Sequence, residues 1–522
     1  MGILQKAIYP LAVLLLLWFS ACSSGDETLN SDELSKFNFK INVSMVDHNG
    51  STNLEIKESF VMPRGEILIK LPSIFLRTEK LYDRISNLKA SDNVKISVSK
   101  KDPSLLLIEH EKGKLVEFSY HFSPSDPRNY PQKQEHFSAP IIRDDYFQFV
   151  GLMALAYPLP LVGVENFPIE MTWDLPSGFQ VFNSFGAGNF NQSFTTDFDK
   201  LRDALFVAGN SMRTYNINVR NQPVIITLEG DWTKITDSSF VDTIQRLLIT
   251  QRETWQDDDF PYFFINILSN PQVCAGNIKF AGTAHTNSFR AFFPSGCSFM
   301  PEMKQLISHE LMHMWIGKKI KVGKERGHID GKWFTEGWND YFGRLLAYNA
   351  GVLTEKEYFD SLNRQLEKYS VSTENQRPLE DLVSRMYKRE YSNRDLEDVP
   401  YQQGEIMALN LNKIIEQSSG FKYSLKSVIR EMLAQAKKSS GVKNFTVSEI
   451  AQIVDDYDAG ASNTFNTEYQ KIEKGELLFP PNLDGCRMVQ MKTSGQYVSA
   501  ILDTNSVLSY GPPMGSCAKW LK

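Results

Sequence analysis

Glycine-rich phosphate-gripping loops of the Walker or dinucleotide-binding kind are missing from this chain, so nucleotide chemistry has no anchor. A strong charge of either sign is missing too. The 56 Lys and Arg against 62 Asp and Glu leave a formal net charge of −6 over 522 residues, which excludes the basic footprint of a nucleic-acid binder. Internal repeats and low-complexity tracts are absent. Cysteine is scarce, at five, so burial rather than cross-linking must hold the fold. Hydrophobic residues at 42% supply ample material for that in a chain of this length. Long apolar runs are scarce as well. Leu11 to Phe19 is too short for a comfortable membrane span, which needs about 20 residues.

That short run is informative in its setting. Lys6 precedes it, and the small residues Ser20 and Ala21 follow, then Cys22. This is the plan of a signal peptide over residues 1–21. Phe19-Ser20-Ala21-Cys22 resembles a bacterial lipobox, with Phe19 at the position usually held by Leu. The expectation is an exported lipoprotein of a bacterial cell envelope, anchored to a membrane through acylated Cys22 without spanning it. Residues 22–34 serve as a polar tether. Setting Cys22 aside leaves Cys274, Cys297, Cys486 and Cys517. An even remainder in an exported chain suggests two disulfides. Sequence neighbours favour Cys274–Cys297 and Cys486–Cys517, although all three connectivities are open, as is the alternative of buried free thiols.

Residues 35–221 read as a β-rich domain. Phe37, Phe39, Ile41, Val43 and Met45 alternate with polar residues, as do Ile67, Ile69 and Leu71. A sandwich-like arrangement follows from that pattern. Residues 222–465 read differently. Val224 to Leu228 and Phe260 to Leu268 look like strands, with helical periodicity between them over Phe240 to Trp255. Phe280 to Phe293 looks like a third strand. Pro301 to Trp315 reads as a helix, with proline in its first turn and Gly317 past its end. From residue 335 to about 455 the chain reads as mostly helical. Residues 466–522 read as a short, loop-rich tail.

The chemistry centres on His309-Glu310-Leu311-Met312-His313. Residues four apart on a helix share a face, about 6 Å apart along the axis, so both imidazoles can meet one zinc ion. Glu310, beside the first ligand, is placed to activate the attacking water. A catalytic zinc needs a third protein ligand and one open position. Glu336 is the candidate, in the first turn of a helix that Thr335 caps. Asp340 follows one turn later, placed to accept a hydrogen bond from the outer nitrogen of a ligand histidine. His328 reads as a solvated loop residue, and Lys318 to Arg326 as a wet basic loop.

These residues carry a family resemblance. His309 to Trp315, the basic Lys318-Lys319-Ile320, and Trp333-Phe334-Thr335-Glu336-Gly337 resemble the glycyl aminopeptidase family of gluzincins. So does Pro400-Tyr401-Gln402-Gln403-Gly404 with the helix that follows it. The resemblance is strong over 305–345 and 398–435 and loose elsewhere. It implies a multidomain α+β chain: a β-sandwich-like N-terminal domain, then a thermolysin-like α/β catalytic domain with a helical C-terminal lobe. It also implies one zinc ion on His309, His313 and Glu336, peptide or protein substrates, and Tyr401 as the hydrogen-bond donor to the oxyanion.

Two positions depart from the family. Ala281-Gly282-Thr283-Ala284-His285 resembles its substrate-binding edge segment, but Ala284 stands where a glutamate binds the substrate's amino terminus. Gln403 replaces the family's lysine. Gly282, Thr283, Ala284 and His285 are thus candidate substrate contacts with altered anchoring. Peptides can still add to a strand edge through backbone hydrogen bonds. The reading is a zinc peptidase. The competing reading is a surface lipoprotein that grasps peptides on a catalytically retired scaffold. A non-peptide amide or ester substrate stands as a third. An intact Glu310 favours the first, because a retired site has no physical need for a base.

Overall fold

The computed structural model describes residues 29–30, 33, 37–48, 50–76, 78–124, 138–260, 262–271, 274, 280–323, 329–388, 395–483, 489–494, 497–502 and 518–521. The signal segment, Cys22, His328, Cys486 and Cys517 lie outside the described residues. Among the described residues no helix is long and apolar enough to cross a membrane. The chain is α+β, with several sheets in a β-rich N-terminal region and a helical C-terminal region. It divides into two compact units. One comprises the residues up to Arg213 with His285–Ser288, and the other Thr214–Ala284 with Phe289–Lys522.

Among the described residues the first unit holds sheets of six, five and four strands and a small two-stranded one, Ile74–Phe75 with Thr78–Glu79. In the six-stranded sheet Phe39–His48 pairs parallel with Phe167–Asp174 and antiparallel with Ser51–Val61. The alternation read from the sequence is physical here. Phe39, Ile41 and Val43 point into one core with Ile56, Phe118 and Ile169. Gly50 turns the first hairpin at φ +74°, and its N–H donates to Asp47 Oδ1 at 3.0 Å.

The second unit is built on a five-stranded sheet. Its strands are β1 (Arg213–Val219), β2 (Gln222–Glu229), β3 (Phe263–Asn270), β4 (Ala281–His285) and β5 (Ser288–Pro294), in the spatial order β1-β2-β3-β5-β4. Helix α1 (Asp237–Trp255) connects the parallel pair β2 and β3. Thr236 caps it by accepting from Ser239 N–H, and Phe240, Ile244, Leu247, Leu248 and Trp255 form its buried stripe. Helix α2 (Pro301–Met312) starts on its proline and buries Met303, Ile307 and Leu311 at i, i+4, i+8. A π-helical turn, Trp333–Trp338, runs into α3 (Asn339–Asn349). Helices α4 (Glu355–Val371), α5 (Leu379–Tyr387), α6 (Asp395–Ser418), α7 (Leu425–Lys438), α8 (Val447–Asp455) and α9 (Ala459–Lys474) complete the helical region.

Four expectations need correction. The single strand over Phe280 to Phe293 is a hairpin, because Asn287 adopts φ 46° and reverses the chain between β4 and β5. Helix α2 stops at Met312, short of Trp315, and the chain turns at Gly317, whose φ is +99°. Thr335 caps no helix: it lies inside the π turn, and its hydroxyl donates to the Gly331 carbonyl. The chain is helical to Lys474, since α9 follows Asp458 as a cap and ends on Gly475 at φ 71°. The weak formers Gly460 and Ser462 hid that helix. Buried Ala461, Phe465, Glu468 and Ile472, three to four residues apart, hold it in place.

Candidate active site

Helix α2 carries His309 and His313 on one face. His309 Nδ1–H donates to Asp340 Oδ1 at 2.7 Å, and His313 Nδ1–H donates to the Ile316 carbonyl at 3.1 Å. These two bonds fix each ring through its Nδ1, leaving both Nε2 atoms to face a common point. They lie 3.2 Å apart, and Glu336 Oε2 is 3.3 Å from one and 3.5 Å from the other. Donors bound tetrahedrally to zinc at its usual bond lengths are separated by roughly 3.3–3.5 Å. Three acceptor atoms this close repel one another unless a cation or proton lies between them. The trio therefore fits one zinc-sized ion, and among the described residues it is the group suited to hold a metal.

The surrounding elements hold this geometry tightly. Gly343 of α3 lies against α2 so closely that a methyl there would meet His309 Cα at 3.2 Å. Asn339, buried at the start of α3, donates to the His309 carbonyl at 2.9 Å. A methyl on Gly337 would meet Gly404 Cα at 2.6 Å and the Tyr401 carbonyl oxygen at 2.7 Å, so α6 and the π turn touch backbone to backbone. That contact sets Tyr401 beside the trio. Its ring stacks on His309 with centroids 6.2 Å apart, and its hydroxyl donates to Glu336. On the other side, the edge strand β4 closes over Glu310. Ala284 N–H donates to the Glu310 carboxylate, and a methyl on Gly282 would strike Glu310 Cγ at 2.8 Å.

The electrostatics separate the roles. Burial pushes Glu310 up. The two imidazoles and the Ala284 N–H pull it back, and Glu336 adds to the rise, for a net raised pKa. Burial also pushes Glu336 up, but His313 and His309 more than reverse it, leaving Glu336 well below the usual carboxylate range. Burial opposes charge on His309, yet Asp340 and Glu336 outweigh it and hold the imidazole well above its ordinary value. Tyr401 is driven well above ten by burial and by Glu336, Asp340 and Glu310, so it keeps its proton and acts as a donor.

Of the residues singled out from sequence, His309, Glu310, His313, Glu336, Asp340 and Tyr401 come together with Gly282 and Ala284. Thr283 accepts from Arg290 Nε–H at 3.2 Å. His285 belongs to the other unit, where its Nδ1 lies 3.3 Å from Asp203 Oδ1. Gln403 is fully buried. Cys274 and Cys297 form a disulfide with Cα atoms 4.8 Å apart, bracketing the β4–β5 hairpin in sequence. Two residues escaped the sequence reading. Asn339 left a signal, a polar residue at a helix start beside Asp340. Lys332, whose Nζ lies 5.8 Å from the Tyr401 ring centre, left none.

Part of the chain that carries this site matches a known family. Residues 302–407, spanning α2 to the middle of α6, match the family model of the M61 glycyl aminopeptidases. Among solved structures the chain is similar to an aminopeptidase N family protein from Idiomarina loihiensis. The two are 17% identical with a TM-score of 0.68, over 88% of this chain and 82% of that one. At that identity the likeness establishes the fold. No curated protein matches the chain. The family likeness thus rests on residues 302–407, and the structural likeness adds an aminopeptidase N-like fold.

Proposed function

We propose that this chain is a zinc-dependent peptidase that cleaves peptide bonds by water attack. The observation that carries the reading is the convergence of His309 Nε2, His313 Nε2 and Glu336 Oε2 within 3.2–3.5 Å of one another beside buried Glu310. His309, His313 and Glu336 would hold the ion. Zinc, when bound, supplies a Lewis acid and brings the pKa of water toward about 7. Glu310 takes the proton of the attacking water and passes it to the leaving amine, a task its raised pKa suits. Tyr401 donates its retained proton in a hydrogen bond to the oxygen on which charge develops. Asp340 keeps the His309 ring turned for ligation.

Substrate lies along the edge strand β4 by backbone pairing. Ala284 offers no carboxylate to a substrate ammonium, so cleavage does not depend on a free amino terminus. The test is one peptide library in free and acetylated forms, given to the zinc-loaded protein and to Glu310→Gln. Cleavage of both forms by the wild type alone is expected. Cleavage of the free form only would restore strict aminopeptidase action. No cleavage by protein that holds zinc would favour a peptide-grasping role instead. We further propose that Cys22 is acylated and anchors the exported protein, with Phe19-Ser20-Ala21-Cys22 as the supporting signal. Membrane-fraction recovery that survives Cys22→Ser would remove that idea.

A further inference from the structure

Two charges behind the site have no part in that mechanism. Arg344 on α3 and Glu405 on α6 form an ion pair whose side chains are only 1% and 2% exposed. The Arg344 Nε–H also donates to Ser361 Oγ on α4 at 3.3 Å. Taking two charges out of water is costly, and a well-packed apolar pair is often as stable. Stability is therefore a poor reason for this pair to exist.

Its position offers a better one. Arg344 lies four residues after Asp340, and Glu405 four residues after Tyr401, so each stacks one helical turn behind a site residue on the same face. The helix that orients His309 and the helix that carries Tyr401 are thus joined by a directional contact one turn below the site. Backbone contact at Gly337 and Gly404 brings the π turn and α6 close, and the ion pair adds a directional side-chain contact one turn away. We infer that the Arg344–Glu405 pair is a register pin. It fixes the Tyr401 hydroxyl against the ligand trio, which makes Arg344 and Glu405 positioning residues for transition-state stabilisation. The inference rests on the peptidase reading for its kinetic consequence, not for its structural one.

The test replaces both charges at once, Arg344→Met with Glu405→Leu, so that neither is left buried and unpaired. Zinc content and melting temperature should stay near wild type. Turnover number should fall about tenfold or more while KM stays within about twofold, because sub-ångström placement of a donor acts on the transition state. On a Tyr401→Phe background the same pair of changes should cost almost nothing further, since the pin works through that hydroxyl. Glu405→Asp, which keeps both charges and shortens one arm, should lose an intermediate amount. A second readout needs no turnover. Fluorotyrosine at position 401 in the cobalt-loaded full chain should show a fluorine resonance that moves or broadens in the double variant. An unmoved resonance overturns the pin, as does unchanged turnover, or an equal loss on the Tyr401→Phe background. If the wild type cleaves no peptide, the peptidase reading falls, and the fluorine resonance alone then judges the pin.

Discussion

Glu58 in the first unit and Glu310 in the second are both buried carboxyls that burial drives upward in pKa, each in a setting that includes a tyrosine. Their surroundings differ in kind. Glu58 Oε1 accepts from Ala156 N–H at 3.1 Å and lies 3.0 Å from the Tyr120 hydroxyl oxygen, whose O–H donates to the Ala154 carbonyl at 2.8 Å. Those contacts tie two strands, Ser51–Val61 and Leu115–Phe122, to residues 154–156. Glu310 sits instead beside three acceptor atoms that converge on a point none of them occupies. A shifted pKa marks burial. Convergent lone pairs mark a place for chemistry.

Breaking the second region should therefore erase activity, whereas breaking the first should alter only stability. The largest effect is expected from His313→Ala, which should lose both bound metal, read by elemental analysis, and turnover. Glu310→Gln should keep the metal yet lose roughly 10³-fold or more in turnover, in the upper range for a lost general acid–base. Retained activity there would sink the proposed mechanism. Tyr401→Phe should lower turnover by about 10²-fold with KM little changed, as for a lost oxyanion donor. Asp340→Asn should cost about 10–100-fold in metal affinity, measured by chelator competition, since the His309 ring loses its charged partner.

The smallest effect sharpens the comparison from the other side. Burial raises Glu58 from an ordinary 4.5 to about 8, so the folded chain holds a proton that the unfolded chain has released between those values. Its contribution to stability is complete below about pH 4.5 and is lost as pH rises toward 8. Glu58→Gln should flatten the melting temperature across that window by comparison with wild type, leaving peptide cleavage untouched. An unchanged pH slope would show that Glu58 ionises normally in the fold.

Much of this was legible in one dimension because helices and strands have fixed periods. Spacing of four put His309 and His313 on one face, and a further four linked Glu336 to Asp340. Alternation marked Phe39, Ile41 and Val43 as core. The reading failed where a single backbone angle outweighed composition. Asn287 splits the expected strand over Phe280 to Phe293 into two, and an Asp458 cap starts a helix in a stretch of weak formers.

The sequence alone determined which side chains could ligate a metal and their order along the chain, because ligand chemistry belongs to side chains and spacing belongs to the helix. Only the tertiary structure decided that α6 would meet the π turn at Gly337 and Gly404. That crossing brings Tyr401 to a residue 65 positions away in the chain, Glu336. Tertiary structure likewise set the edge strand's amide on Glu310 and buried Arg344 against Glu405. Such contacts depend on how close two backbones can approach, which no local period encodes.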